Sequence, residues 1–167
     1  MDIPEIWGAT RAEVAEPYPC DELVPGPTES WFRAVDVDAA PPAVYRWLCQ
    51  LRVAPYSYDF IDNLGRRSPR TLTPGLTELA LGQPVMNIFT LAGFVQDLEL
   101  TVRLTDRWAR LMFGDLAVTY RVAPGRLVAK LVVSARPLSF LRRRFLAWGD
   151  LVMMRRQLRT IARLAAA

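Results

Sequence analysis

The residues of this chain best suited to chemistry fall in one short stretch. Tyr56, Tyr58, Asp59, Asp62 and Asn63 follow one another closely, and on a helical turn Asp59 shares a face with Asp62 (i, i+3) and with Asn63 (i, i+4). A carboxylate beside phenols supplies a general base and a proton donor, the pair that a cyclase or dehydratase requires. On that reading Asp59 is the catalytic base and Tyr56 or Tyr58 the donor. The same residues also suit a plainer role, in which Asp59 or Asp62 holds Arg66, Arg67 or Arg70 and pins the loop that follows. Paired Asp and Arg in a loop usually organise backbone rather than chemistry.

Much other chemistry is removed by composition. The chain contains no histidine, which excludes the commonest general base, the Ser-His-Asp and Cys-His nucleophile systems and the usual histidine ligation of zinc and haem. Lys130 is the only lysine, and Cys20 and Cys49 are the only cysteines. Two cysteines make neither a disulfide framework nor a metal-ligand pattern, so both read as reduced thiols. No metal and no cofactor is expected.

The 167 residues suit one domain, 51% hydrophobic and 23% charged, as in an ordinary folded protein. No apolar stretch approaches the roughly 18 residues of a membrane span. The first residues, Met1 to Glu5, lack the basic start and apolar core of a secretion signal, and a cytoplasmic location is expected. The net charge of +4 is carried by arginine and is uneven. Arg142, Arg143, Arg144, Arg155, Arg156, Arg159 and Arg163 stand near the C-terminus against the single acid Asp150. These arginines read as a solvated helix face, or as a module that meets an anionic membrane or a protein partner, with Phe145 and Trp148 beside them. No nucleic-acid partner is expected, and the oligomeric state is left open.

The elements that must position these residues can be read in order. Residues 1–27 are interrupted by prolines and show no periodicity, so they read as an irregular arm with at most a short helix near Ile6 to Val14, packed on the body through Trp7 and Tyr18. Residues 28–167 read as a single domain. Trp31, Val35 and Val37 alternate with Asp36 and Asp38, the pattern of a half-buried strand. Pro41 and Pro42 then open a helix, where first-turn amides have no partner to lose, with Val44, Trp47, Leu48 and Leu51 on one side. A second short helix is expected over Tyr56 to Asn63, ended at Gly65.

Strand patterns follow over Val85–Leu91, Leu98–Leu104, Leu116–Val122 and Leu127–Ala135. Their short gaps predict antiparallel hairpins with one face inward and one in water. Asn87, Thr101 and Arg103 would turn inward only if the register slipped by one residue. After Pro137 a long helix is expected, with Ala147, Leu151, Met154, Leu158, Ile161 and Ala165 in one stripe. The only large apolar surface available to it is the concave side of the sheet.

This order of strand, short helices, antiparallel sheet and long final helix resembles the helix-grip fold of the START and birch-pollen-allergen (SRPBCC) superfamily, an α+β architecture. Val35-Asp36-Val37-Asp38-Ala39-Ala40-Pro41-Pro42-Ala43-Val44-Tyr45-Arg46-Trp47-Leu48 looks like the opening of its polyketide cyclase/dehydrase and lipid-transport branch. The run Ala54 to Asn63, followed by Gly65 to Arg70, resembles bacterial members without an assigned role. The resemblance covers residues 30 to 165. It implies a cavity between the sheet and the last helix that holds a lipid, polyketide or sterol-like molecule, either as a binding protein or as a cofactor-free cyclase or dehydratase. Implied wall residues are Trp47, Phe60, Leu151, Met154 and Leu158 from the helical parts. From the strands they are Phe89, Leu100, Val102, Val118, Tyr120, Leu131 and Val133.

Overall fold

A computed structural model describes residues 3–58, 67–135 and 140–167, with only the backbone described at 140–142. The sheet has seven strands in the order β1-β2-β7-β6-β5-β4-β3. They are β1 (Ile6–Trp7), β2 (Thr28–Asp36), β3 (Pro84–Val85), β4 (Phe89–Val95), β5 (Glu99–Leu104), β6 (Leu116–Ala123) and β7 (Arg126–Ser134). Every pairing is antiparallel except β1 with β2. The helices are α1 (Arg11–Ala15), α2 (Pro41–Cys49), α3 (Arg107–Phe113) and α4 (Phe140–Ala165), with 3-10 turns at Pro19–Glu22 and Gln50–Arg52. The helix-grip expectation is met: α4 lies along one face of the sheet, beside α2.

Register decides what faces α4. Leu91, Val102, Val118, Leu131 and Trp31 stand opposite one another across five strands. The next row carries Leu100, Tyr120, Ala129 and Arg33. Since side chains alternate along a strand, these rows share the face that meets α4, where Met154, Leu158 and Ile161 complete a buried cluster.

The opposite face corrects one expectation. It is not left to water over the central strands. Phe32, Ala34, Ala117, Val128 and Val132 are covered there by Ala9, Tyr18, Cys20 and Val24 of the N-terminal segment, forming a second core. The segment read as an irregular arm therefore contributes a strand, a helical turn capped by Thr10 and half of that core. Tyr18 packs edge-on against Phe32 at 6.1 Å. Trp7 lies at the sheet edge, 5.5 Å and 5.3 Å from the guanidinium carbons of Arg155 and Arg159.

Two further differences are local. The connection between β5 and β6 is not a short gap, since Asp106 caps α3 through the Ala109 amide. The helix expected over Tyr56 to Asn63 lies mostly outside the described residues. Tyr56 itself has φ of 54°, a left-handed value that no helix residue adopts.

Candidate functional site

Between α4 and the sheet lies a cavity of about 570 Å³, within the size range of small-molecule sites. The sheet supplies Trp31, Phe89, Leu104, Leu116, Val118, Tyr120, Leu131 and Val133 to its wall. Helix α4 supplies Phe145, Leu146, Gly149, Asp150, Met153, Met154 and Gln157, and α3 contributes Phe113. Phe145 is 78% exposed, which places it at the mouth. The remaining wall comes from Pro55, Ser57 and the Met86–Ile88 turn.

The polar atoms gather on one helix. Asp150, Met154 and Gln157 follow at i, i+4 and i+7, so one face of α4 carries them all toward the sheet. Gln157 is 3% exposed and all its amide groups are engaged. Its Oε1 accepts from the Tyr120 hydroxyl at 2.8 Å, and its Nε2 donates to the Pro55 carbonyl at 2.6 Å and to Met86 Sδ at 3.4 Å. The two irregular segments at the rim are thereby tied to α4 by one side chain. Met86 and Asn87 both have positive φ, 47° and 63°, as the tight reversal between β3 and β4 requires. The Met86 amide is held in turn by the Leu51 carbonyl at 3.0 Å.

Asp150 is the one charged residue on the wall among the described residues. Its Oδ2 accepts from Arg33 Nη2 at 2.9 Å, with the guanidinium wholly buried and the carboxylate side chain 21% exposed. Arg33 Nη1 also donates to the carbonyls of Glu5 and Phe32, each at 2.9 Å, and Nη2 lies 3.4 Å from the Ala147 carbonyl. Burial raises the Asp150 carboxyl from its ordinary 3.8 to about 6, with the charge and hydrogen bond of Arg33 opposing the rise. Burial likewise pushes the Tyr120 phenol upward, and the negative charge of Asp150 adds to that shift. Desolvation also pulls the Arg33 guanidinium down from its usual range, against the pull of Asp150.

The residues singled out from sequence divide into groups. Phe89, Val118, Tyr120, Leu131, Val133 and Met154 line the cavity. Leu100, Val102, Trp47 and Leu158 are buried in the same cluster but off the cavity wall, and so is Leu151. Tyr56 is packed edge-on against Trp47 at 6.0 Å, and Tyr58 lies 4.4 Å from the guanidinium carbon of Arg156. Neither tyrosine lines the cavity, although Ser57 between them does. Asp59 and Phe60 lie outside the described residues, as do Asp62, Asn63 and Arg66. Of the strand polars, Asn87 lines the cavity, whereas Thr101 is buried on the opposite face, hydrogen-bonded to Thr119 at 2.9 Å. Lys130 is on that opposite face too, 2.6 Å from Asp21.

Sequence reasoning missed Arg33, Asp150 and Gln157, although a signal existed. Arg33 stands between Trp31 and Val35 on the inward side of its strand. Asp150 and Gln157 are spaced with Met154 and Ile161 on the apolar stripe of α4. A charged or amide residue at an inward position is the pattern of a buried partner, not of a solvated face.

The arginines are largely engaged by the protein itself. Arg143 donates to Glu29 at 2.6 Å, and Arg155, Arg156 and Arg159 lie over Trp7 or Tyr58. Among the described residues no helix is long and apolar enough to cross a membrane.

No protein-family model and no curated protein matches the sequence. Solved structures do. One is the di-domain ARO/CYC protein BexL from the BE-7585A biosynthetic pathway, with a TM-score of 0.57 and 15% identity over 84% of this chain and 50% of that one. A Mesorhizobium loti protein matches with a TM-score of 0.52 and 12% identity, over 81% of this chain and 96% of that one. The di-domain ARO/CYC protein StfQ from the steffimycin pathway matches with a TM-score of 0.50 and 10% identity, over 83% and 50% of the two chains. The fold is the helix-grip fold. The chain spans half the length of each di-domain protein, and identities this low carry fold alone.

Proposed function

We propose that the protein binds an apolar or amphipathic small molecule, such as a lipid, polyketide or sterol-like compound, in the cavity between α4 and the sheet. One observation carries the reading: a space of about 570 Å³ with mostly apolar walls and a few polar side chains, Asp150 and Gln157 of α4 with Tyr120, Ser57 and Asn87. Apolar walls supply affinity, and a few fixed polar atoms orient the occupant. A cytoplasmic location belongs to the same proposal. Native mass spectrometry of protein purified from its own host tests it, together with titration of an apolar fluorophore against wild type and Gly149→Phe. The cavity-filling variant is expected to lose binding while keeping its fold. An empty wild-type protein that binds no apolar probe would sink the proposal.

A second reading, a cofactor-free cyclase or dehydratase, is favoured by one feature. Asp150 lines the cavity with its carboxyl raised to about 6, near the pH at which a general base works best. Asp59, the base expected from sequence, lies outside the described residues, and the expected donors Tyr56 and Tyr58 do not line the cavity, so Asp150 is the carboxylate this reading rests on. Turnover of a polyketide-like chain that persists undiminished in Asp150→Asn would remove this reading.

A further inference from the structure

We infer that the cavity discriminates by the charge and hydrogen-bonding sense of its ligand's polar end: it takes apolar molecules ending in a hydroxyl or ammonium and rejects those ending in a carboxylate. This rests on the cavity being the binding site. Among the described residues the wall holds no arginine and no lysine, and Asp150 is its one charged group. The nearest guanidinium, that of Arg33, is wholly buried and turned to two strand-edge carbonyls, a helix carbonyl and Asp150 Oδ2. Its Nη groups are turned to the protein, its Nε is unpartnered but buried, and no part of it lines the cavity. The carboxylate, by contrast, is 21% exposed, and its Oδ1 accepts no hydrogen bond among the described residues.

The other polar wall groups bring no cation: Ser57, Asn87 and the unpartnered Trp31 Nε1–H are neutral. Both amide groups of Gln157 are committed, its oxygen to Tyr120 and its nitrogen to Pro55 and Met86. The Tyr120 proton is spent on Gln157, which leaves the phenol oxygen toward the site as an acceptor. Around Asp150, Gln157 and Tyr120 the cavity therefore presents acceptors, and the carboxylate rather than its buried counter-ion is the charge a ligand meets. A ligand hydroxyl or ammonium would satisfy it, whereas a carboxylate would face Asp150 with no cation between them. Like charges brought together out of water disfavour binding strongly.

The test uses three probes with one aromatic body: 1-pyrenemethanol, 1-pyrenemethylamine and 1-pyrenecarboxylate, titrated by fluorescence into the wild-type protein at pH 7.5. Desolvation by itself penalises both ions against the alcohol. A negative site instead makes the amine bind at least tenfold more tightly than the carboxylate, and that asymmetry is expected. A carboxylate that binds as tightly as the amine overturns the inference while leaving the cavity as the binding site. Failure of all three probes to bind removes the binding proposal and this inference with it. In Asp150→Asn the uncompensated Arg33 should reverse the preference toward the carboxylate, and an unchanged order there also overturns the inference. Should that variant fail to fold, the wild-type series decides alone.

Discussion

The two faces of the sheet are built from the same kinds of residue and end in opposite states. On the outer face the N-terminal segment settles onto β2, β6 and β7, and several polar groups there are tied locally. Cys20 donates its amide to Thr119, Thr119 pairs with Thr101, Lys130 meets Asp21, and Arg126 bridges Glu13 and Asp36. On the inner face α4 is a stiff rod laid across a curved sheet, and the space between them is not filled. What differs is conformability. A short, irregular, proline-interrupted segment can follow the sheet surface residue by residue. A helix of 26 residues cannot, so it packs through Ala147, Leu158 and Ile161 and leaves a void beside Phe145, Asp150 and Gln157. Close packing is the rule in interiors, so a void of this size marks the side on which the proposed ligand would complete the core.

The comparison can be broken most severely at the buried ion pair. Arg33→Met leaves Asp150 with no counter-charge on the inner face and should cost about 3–5 kcal/mol, read by chemical denaturation. Arg33→Met with Asp150→Leu should recover most of that loss, because apolar replacement of a whole buried pair is often close to neutral.

Acid should then act oppositely on the two faces. The Asp150 carboxyl is higher in the folded state, so its stabilising contribution is full below pH 4 and is lost as pH rises toward about 6. Moving from 3.8 to about 6 corresponds to a loss on the order of 3 kcal/mol. Glu13 runs the other way. Burial, the largest single influence, would raise its carboxyl, but the hydrogen bonds from Arg126 and Thr10 and the Arg126 charge together outweigh it and hold the carboxyl below its ordinary value. Its contribution is present above that value and is lost as pH falls. Carboxyl carbon NMR titration should show Asp150 titrating latest among these two acids. Finding Asp150 below Glu13 would refute the assignment.

Two glycines sharpen the contrast further. A Cβ on Gly8, beside β2, would lie 2.2 Å from the Ala34 carbonyl oxygen at a φ of +76°. Gly8→Ala should therefore destabilise by about 2–3 kcal/mol through strain and overpacking. A Cβ on Gly149, inside α4 at the cavity wall, meets nothing within 4 Å. Gly149→Ala should stabilise the helix by up to about 1 kcal/mol while narrowing the cavity, so thermal stability rises as probe affinity falls. Equal losses at both glycines would mean that the inner face is as tightly packed as the outer.

Much of the fold was legible because it rests on local periodicity. The alternation in Leu98–Leu104, Leu116–Val122 and Leu127–Ala135, the prolines that open α2 and the stripe of α4 each specify an element without reference to the others. The covering of the outer face was not legible, because residues 3–27 have no periodicity to read and gain their order only by docking. The site was legible in its apolar half. Six of the expected wall residues line the cavity because inward strand positions and the helix stripe are set by period alone. The polar half was misplaced, since Tyr56 and Tyr58 drew notice by local density while the partners Arg33 and Asp150, and Tyr120 and Gln157, are far apart in sequence.

What the sequence determined by itself is the set of elements, their apolar faces and the absence of histidine chemistry. The tertiary structure alone decided which polar side chains meet. Arg33 and Asp150 are separated by 117 positions, and Tyr120 and Gln157 by 37. Each sits at an inward position of its own element, but its partner is fixed only when β2, β6 and α4 are brought together. Burial then makes an isolated charge so costly that it must find its partner, and that pairing gives the cavity its polarity.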